Sequence, residues 1–388
     1  MEISTCVKYV GVNDHQVDLF EGQYKVPNGM SYNSYVILDE KIAVMDTVDG
    51  FFTEEWLNNV EQVLSGKTPD YLVIQHMEPD HSASIPAFLK KYPNATVVST
   101  AKGFQFMEQF FPEFFAGQGL PAEQRIVAAN DGVLELGQHS LHFVYAPMVH
   151  WPEVMMTYEA TEKILFAADG FGKFGALDAE EEWADEARRY YIGIVGKYGP
   201  QVQAVLKKAA GLDIQTICSL HGPVLKENLG FYLEKYDRWS SYQPEESGVV
   251  IAYASVYGNT RNAAEYLADV LHEKGQKTVL YDLSRCDKAK AVADAFRYDR
   301  LVLAGITYNG DLFPCMRSFI EGLTERNYQN RKVAIIENGT WAPMAGKLIL
   351  GMFEKSKNLT FTETTVSIKS AMNEQNKGEI GKLAEELC

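Results

Sequence analysis

The run Tyr71-Leu72-Val73-Ile74-Gln75-His76-Met77-Glu78-Pro79-Asp80-His81 sets the reading of this chain. Its first five residues form an apolar stretch that reads as a buried strand. Its last six carry two imidazoles and two carboxylates, and residues 82–92 continue in a helix-like pattern. The cluster is therefore expected on the turn leaving a strand, where a rigid scaffold presents side chains to a cleft. A single His or Asp is usually a satisfied polar residue. Four metal-capable groups in six positions have little packing rationale. They cannot all wrap around one small tetrahedral ion, so further ligands and a second ion are expected.

Three more candidates stand in similar places. His150 follows the strand-like stretch 141–148, Asp169 follows 164–168, and His221 follows 214–220. Strand ends can converge on one rim of a sheet sandwich. The set is then His76, His81, His150 and His221 with Glu78, Asp80 and Asp169, which suits two ions sharing a carboxylate bridge. Imidazole serves zinc and iron alike, while added carboxylates and open positions favour redox-active iron. Structural zinc usually carries cysteine. The five cysteines, at 6, 218, 286, 315 and 388, lie outside the constellation. Their odd number and wide spacing, without Cys-x-x-Cys, argue against a disulfide framework, a zinc ribbon, a rubredoxin centre or a cysteine-held iron–sulfur cluster. His15, His139, His142 and His272 read as structural.

At 388 residues the chain is too long for one ordinary core. Its 46% hydrophobic and 23% charged residues are those of a globular protein. The formal net charge of -16 argues against a nucleic-acid partner, which needs a field of Lys and Arg. No apolar run approaches a membrane span and no secretory pattern opens the chain, while free thiols fit a reducing cytoplasm. Residues 240–248 are polar, with Pro244 and Gly248, and read as a connection. The expected division is 1–243, a linker at 244–248, and 249–388. The first part shows a hairpin pattern at 35–45, further strands at 96–98, 140–145, 155–159, 163–167 and 214–220, and helical stretches at 54–64 and 179–191. It reads as mixed α/β with two sheets. After the linker, strand patterns near 249–254, 278–281, 301–304, 332–336 and 360–366 alternate with helical ones, the last of them at 379–387. That alternation means a five-stranded parallel, doubly wound sheet.

Three loops of this second part fall at strand C-termini, where open parallel sheets bind ligands. The first holds Ser255, Tyr257, Gly258, Asn259 and Thr260, small and hydroxyl residues that let backbone N–H groups close on a phosphate at a helix start. It lacks the Walker and dinucleotide spacings, so ATP and NAD are poor guesses. The others are Thr307-Tyr308-Asn309-Gly310 and Asn338-Gly339-Thr340-Trp341-Ala342. The first loop resembles the FMN-phosphate loop of flavodoxins, and the other two match where flavodoxins wrap the isoalloxazine ring. FMN is the expected cofactor.

The first part resembles the metallo-β-lactamase fold, an αββα sandwich whose zinc hydrolases use His-x-His-x-Asp-His. Here Glu78 replaces the second His. With His150, Asp169 and His221, that pattern resembles the flavodiiron proteins (A-type flavoproteins), in their minimal class. The resemblance implies two non-haem irons per chain: His76, Glu78 and His150 on one, Asp80, His81 and His221 on the other, Asp169 between them. Tyr190 and Tyr191 resemble a tyrosine-bearing stretch beside the centre and are the catalytic candidates; as core tyrosines they need no such role. It also implies an oxidoreductase that reduces O2 to water, NO to N2O, or both, as protection against oxygen or nitrosative stress. Electrons would come from rubredoxin or a similar donor. The assembly would be a head-to-tail homodimer, with a dimer of dimers as a larger form. The competing reading is a dizinc hydrolase with an accessory flavodoxin-like module. A flavin redox sensor with a vestigial metal site is disfavoured by the full ligand set. The ligands are common to both gas activities, so O2 against NO stays open.

Overall fold

The computed structural model describes residues 3–115 and 120–388. They form two compact units, Met1–Tyr191 with Pro200–Tyr236, and Ile192–Gly199 with Asp237–Cys388.

In the first unit a six-stranded sheet runs in the order Val7–Tyr9, Tyr35–Ile37, Ala43–Met45, Tyr71–Val73, Thr96–Ser99, Arg125–Val127. The Tyr35–Met45 hairpin is antiparallel, and every pair from Ala43–Met45 onward is parallel. A second sheet runs in the order Val133–Glu135, Ser140–Tyr145, Met155–Glu159, Ile164–Phe166, Thr216–Cys218. One core joins the two faces: Tyr35, Met45, Val73 and Val98 from the first sheet pack with Phe143, Met155, Phe166 and Cys218 from the second. The alternate residues Val44, Leu72 and Val97 are equally buried, which requires cover on the outer face as well. Helices Thr53–Leu64 and Ile85–Lys91 bring Trp56 and Phe88 together there, rings 5.7 Å apart. Outside the second sheet, Val202 and Val205 of helix Gly199–Ala209 meet Met156 and Leu165 around a small apolar cavity. This is the expected αββα sandwich.

The helix after the decisive strand starts earlier than its pattern suggests. Pro79–Ser82 is already a helical turn, and a break at Ala83 and Ser84 precedes Ile85–Lys91. Pro79 suits the first helical position, where no N–H is needed. Asp80 and His81 therefore sit in a helical turn, not in the loop before it. The strand-like stretch 141–148 ends at Tyr145, so His150 lies on the turn beyond it. The helical stretch expected at 179–191 is narrower, Trp183–Tyr190, and runs on into a wider-wound turn, Tyr191–Val195. Short strands between Val7 and Tyr32 went unseen because two or three residues carry no measurable period.

In the second unit five parallel strands lie in the order Thr278–Asp282, Glu246–Tyr253, Tyr298–Tyr308, Arg331–Asn338, Leu359–Ile368. This 2-1-3-4-5 order is the flavodoxin-like one, with its switch point between the first and third strands. Helices Asn259–Glu273 and Glu374–Leu387 cover one face through Ala263, Leu267, Leu271, Ile380 and Leu383. Helices Lys288–Arg297, Pro314–Thr324 and Ala345–Met352 complete the unit. The first strand starts at Glu246, inside the stretch read as linker, because Gly248 N–H is held by Asp299 Oδ1 at 2.8 Å. The last helix starts at Glu374, five residues ahead of its apolar pattern. Asn373 and Asn376 form a reciprocal cap there, and polar caps leave no hydrophobic period.

Candidate metal centre

The strand Tyr71–Val73 delivers its metal-capable residues through a fixed corner. Asp46, buried at the end of the neighbouring strand, accepts Gln75 N–H at 2.7 Å and the Gln75 side-chain amide at 2.8 Å. Asp46, Met148, Ala168 and Phe171 all adopt left-handed backbone, with φ of 53°, 64°, 47° and 65°. Each such residue costs roughly 1 kcal/mol or more, and non-glycine residues of this kind gather at functional sites. Here they flank His76, His150 and Asp169.

All seven candidates meet in two groups. In one, His76 Nε2 and His150 Nε2 lie 3.2 and 3.0 Å from Glu78 Oε2, and 3.4 and 3.0 Å from Asp169 Oδ2. In the other, His81 Nε2 and His221 Nε2 approach to 3.0 Å, and each is 3.3 Å from Asp80 Oδ2. The second oxygen of Asp169, Oδ1, faces this group, 3.5 Å from His81 and 3.8 Å from His221. One carboxylate thus turns one oxygen to each group.

The ring orientations are set from behind. His76 Nδ1 donates to Glu153 Oε1 at 2.8 Å, and His221 Nδ1 donates to the Ser31 carbonyl at 2.8 Å. Each donation leaves Nε2 aimed into the site, as metal-binding imidazoles require. Glu153 also accepts Met77 N–H at 3.0 Å. Neither Glu153 nor Ser31 was visible as a site residue, because each is remote in sequence from the ring it orients. Phe20 and Tyr32 pack on His221, and Trp151 packs on His76 at 5.3 Å, so aromatic rings wall the centre.

The electrostatics fit cations. Burial pushes the His81 imidazole down to about 4, so it is a neutral donor at ordinary pH. Burial also opposes charge on His76 and His150, but Asp169 holds His76 well above its ordinary value, and the carboxylates of Asp169 and Glu78 lift His150 to about 9. The same imidazoles hold Glu78 and Asp169 well below the usual carboxylate range despite burial. Both oxygens of Asp80 and of Asp169 are buried without a well-formed hydrogen bond. Leaving ionised oxygens so is costly unless a cation takes them. The residues present therefore fit a pair of metal ions, and their nitrogen and carboxylate donors suit iron.

Of the tyrosines, Tyr190 is buried beside the centre, its ring 5.4 Å from His221, and burial with the charge of Asp169 holds its phenol protonated. Tyr191 turns to Tyr236, rings 5.1 Å apart. Of the histidines read as structural, His15 pairs with Asp178 at 3.2 Å and His142 with Ser140 at 3.2 Å.

The second unit holds a cavity of about 370 Å³. Of the residues expected on its three loops, thirteen line it: Ser255, Tyr257, Asn259, Thr260, Thr307, Tyr308, Asn309, Gly310, Asn338, Gly339, Thr340, Trp341 and Ala342. Gly258 is not among its lining residues. It takes φ 91° to start the helix at Asn259, and its N–H reaches Ser255 Oγ at 3.1 Å. Two side chains serve the scaffold. Thr307 Oγ1 accepts Met344 N–H at 2.8 Å and Ala345 N–H at 3.1 Å, and Asn338 ties Ser370 through two hydrogen bonds. Met344 and Ser370 also line the cavity and were missed, since each follows its strand end only after a turn. Trp341 and Tyr257 stand almost fully exposed at 90% and 92%. A loop at the start of a long helix, with two flanking loops and free aromatic faces, fits a phosphate-bearing flat cofactor such as FMN.

The ODP family beta lactamase domain matches residues 30–222, and a flavodoxin domain matches residues 250–358. The chain is 28% identical over 355 residues to the anaerobic nitric oxide reductase flavorubredoxin of Vibrio vulnificus, covering 88% of this chain and 70% of that protein. It is 33% identical over 282 residues to diflavin flavoprotein A 1 of Synechocystis, covering 71% of this chain and 48% of that protein. Among solved structures, rubredoxin oxygen:oxidoreductase of Desulfovibrio gigas superposes with a TM-score of 0.91 at 25% identity, over 100% of this chain and 97% of that one. The flavodiiron protein of Giardia intestinalis gives 0.91 at 27% identity, over 100% and 96%.

Proposed function

We propose that this chain, which belongs to the flavodiiron protein family, is an oxidoreductase that reduces O2 to water, NO to N2O, or both, at a diiron centre fed by FMN. The observation that carries the reading is Asp169, whose two oxygens, buried and without a well-formed hydrogen bond, turn one to each of two groups of imidazole and carboxylate donors. In this reading His76, Glu78 and His150 hold one iron, and Asp80, His81 and His221 hold the other. When bound, FMN would supply single electrons and the iron pair the chemistry of gas reduction.

The protein's own residues keep the two sites poised and dry. Glu153 and the Ser31 carbonyl fix two rings so that no reorientation accompanies metal binding. Phe20, Tyr32 and Trp151 exclude water from the rings they cover. Tyr190, held protonated, is a hydrogen-bond donor available beside His221. Reduction of O2 to water takes four electrons and four protons, and coupling of two NO to N2O and water takes two of each. Solvent is the proton source in this reading.

The metal ligands lie in the first unit and the FMN pocket in the second. We propose that a second copy supplies the flavin to each metal centre in a head-to-tail dimer, which two dimers can extend. A rubredoxin-like donor is proposed to meet the flavin at the exposed rings of Trp341 and Tyr257. The five cysteines are all free, which suits a reducing cytoplasm. Among the described residues no helix is long and apolar enough to cross a membrane.

The test is anaerobic reduction of the iron- and FMN-loaded protein with rubredoxin or an artificial donor, followed by O2 and NO consumption. Two irons per chain with gas consumption support the reading. Two zinc ions with hydrolysis of a lactam or thioester, and no gas consumption, would establish the hydrolase instead.

A further inference from the structure

A second set of metal-binding side chains lies in the first unit, at the opposite ends of strands that lead to the centre. Ser140–Tyr145 runs from His139 toward His150, and Ile164–Phe166 runs from near Glu162 toward Asp169. The first strand alone separates its two ends by roughly 20 Å, at ~3.4 Å per residue. At the far ends, single donor atoms of Cys6, His139 and Glu162 lie within 4.8 Å of one another. His139 Nε2 is 3.6 Å from Glu162 Oε1. Two ligands on one zinc ion stand about 3.3–3.7 Å apart, given metal–ligand bonds of about 2.0–2.3 Å. The separation already present is therefore the one a shared ion imposes.

His139 is prepared as a ligand. Its Nδ1 donates to Asp39 Oδ2 at 2.8 Å, and the same oxygen accepts its backbone N–H at 2.7 Å. The carboxylate fixes the ring and leaves Nε2 facing Glu162, the arrangement found behind metal-bound imidazoles. Oxygen Oε2 of Glu162 is buried and accepts no hydrogen bond. The backbone at each ligand is pinned: Leu38 N–H to Cys6 carbonyl at 2.9 Å, Leu136 N–H to His139 carbonyl at 2.9 Å, and Glu162 N–H to Glu159 Oε2 at 2.7 Å.

We propose that Cys6, His139 and Glu162 form a site for a zinc-type divalent cation, with Asp39 orienting His139 and water in the fourth position. A thiolate with an imidazole selects a borderline-soft ion over magnesium or calcium, which take oxygen. Cys6 precedes the edge strand Val7–Tyr9 of the first sheet, while His139 and Glu162 enter strands of the second. The ion would clasp the two sheets at the end remote from the redox centre. Binding requires the Cys6 thiolate and a neutral His139, so their protons pass to solvent and affinity falls as pH falls. This inference is independent of the diiron reading.

The test uses the iron- and FMN-loaded protein titrated with Co²⁺, read as a difference spectrum, with Zn²⁺ as competitor. One Co²⁺ per chain with a thiolate-to-cobalt charge-transfer band, displaced by Zn²⁺, is expected. The band should vanish in Cys6→Ser and need at least ten-fold more Co²⁺ in Glu162→Gln, with iron and FMN contents unchanged. A wild-type protein without the band, or Cys6→Ser with the band intact, would overturn the proposal. Equilibrium dialysis against Zn²⁺ gives the second measurement: equal binding by wild type and Cys6→Ser would also overturn it.

Discussion

A single oxygen of Glu153 does two jobs at the metal centre: it takes the His76 ring N–H and the Met77 backbone N–H. In Glu153→Gln the amide oxygen can still accept both, but the charge that makes His76 a strong donor is gone. Outer carboxylates of this kind are worth about 10–100-fold in metal affinity. Glu153→Gln should lose one iron per chain to a chelator at least ten-fold faster, with FMN retained. Unchanged iron retention would mean that Glu153 only holds the turn. Asp169→Ala goes further, since it removes a donor from both groups: gas reduction should fall by more than 100-fold while FMN stays bound. The seven candidate ligands were legible because four crowd into six positions and the others follow apolar strands. Glu153 and Ser31 were not, because what selects them is proximity across the fold. His139 was passed over for the same reason. Its partners Asp39, Cys6 and Glu162 are scattered over the first half of the chain, and no local pattern links them.

At the scale of elements, loops carry the chemistry and their backbone shape is the constraint. A Cβ on Gly339 would stand 2.8 Å from Pro343 Cα and 3.1 Å from its nitrogen, so a larger residue must displace the loop that carries Trp341. Gly339→Val should weaken FMN binding by ten-fold or more in a fluorescence titration and leave iron content unchanged. Wild-type FMN affinity in that variant would remove the loop from the site. The turn at Asp39 makes a different demand. Its burial works against ionisation, but hydrogen bonds from His139 and Glu40 hold the carboxylate at about 2, against an ordinary 3.8. A depressed carboxylate stabilises the fold above its unfolded value and loses that contribution as pH falls through its folded one. The advantage of wild type over Asp39→Asn in urea unfolding should be about 1 kcal/mol near pH 5, shrink below about pH 4 and vanish only below about pH 2. His139, raised by the same pair despite burial, contributes with the opposite sign and loses its share as pH rises above its ordinary 6.5. An advantage that is flat with pH would show that the pair is electrostatically silent. Strands were readable in the second unit, where apolar runs such as 249–254, 301–304 and 333–336 fill the three inner ones. They were hidden near the N-terminus, where strands of two or three residues are held by their neighbours and not by a pattern of their own.

For the whole molecule, the distribution of function over two units sets the sharpest test. Metal ligands sit in one unit and the flavin loops in the other, so each centre can be destroyed without the other. Asp169→Ala should keep FMN and lose gas reduction, and Gly339→Val should keep iron and lose it too. If electrons pass within one chain, mixing the two variants changes nothing, since every chain lacks one centre. If they pass between copies, a mixed dimer pairs the intact flavin of one chain with the intact metal centre of the other. Random assembly makes about half of all dimers mixed, and a head-to-tail dimer with two equivalent contacts has one working pair in each, so co-expressed variants should recover about a quarter of wild-type activity. The comparison is turnover per chain in the co-expressed protein against the two variants purified separately and assayed together without subunit exchange. Activity no higher than that of either variant alone, in a preparation shown by differential tags to contain mixed dimers, would confine electron transfer to a single chain and end the head-to-tail reading.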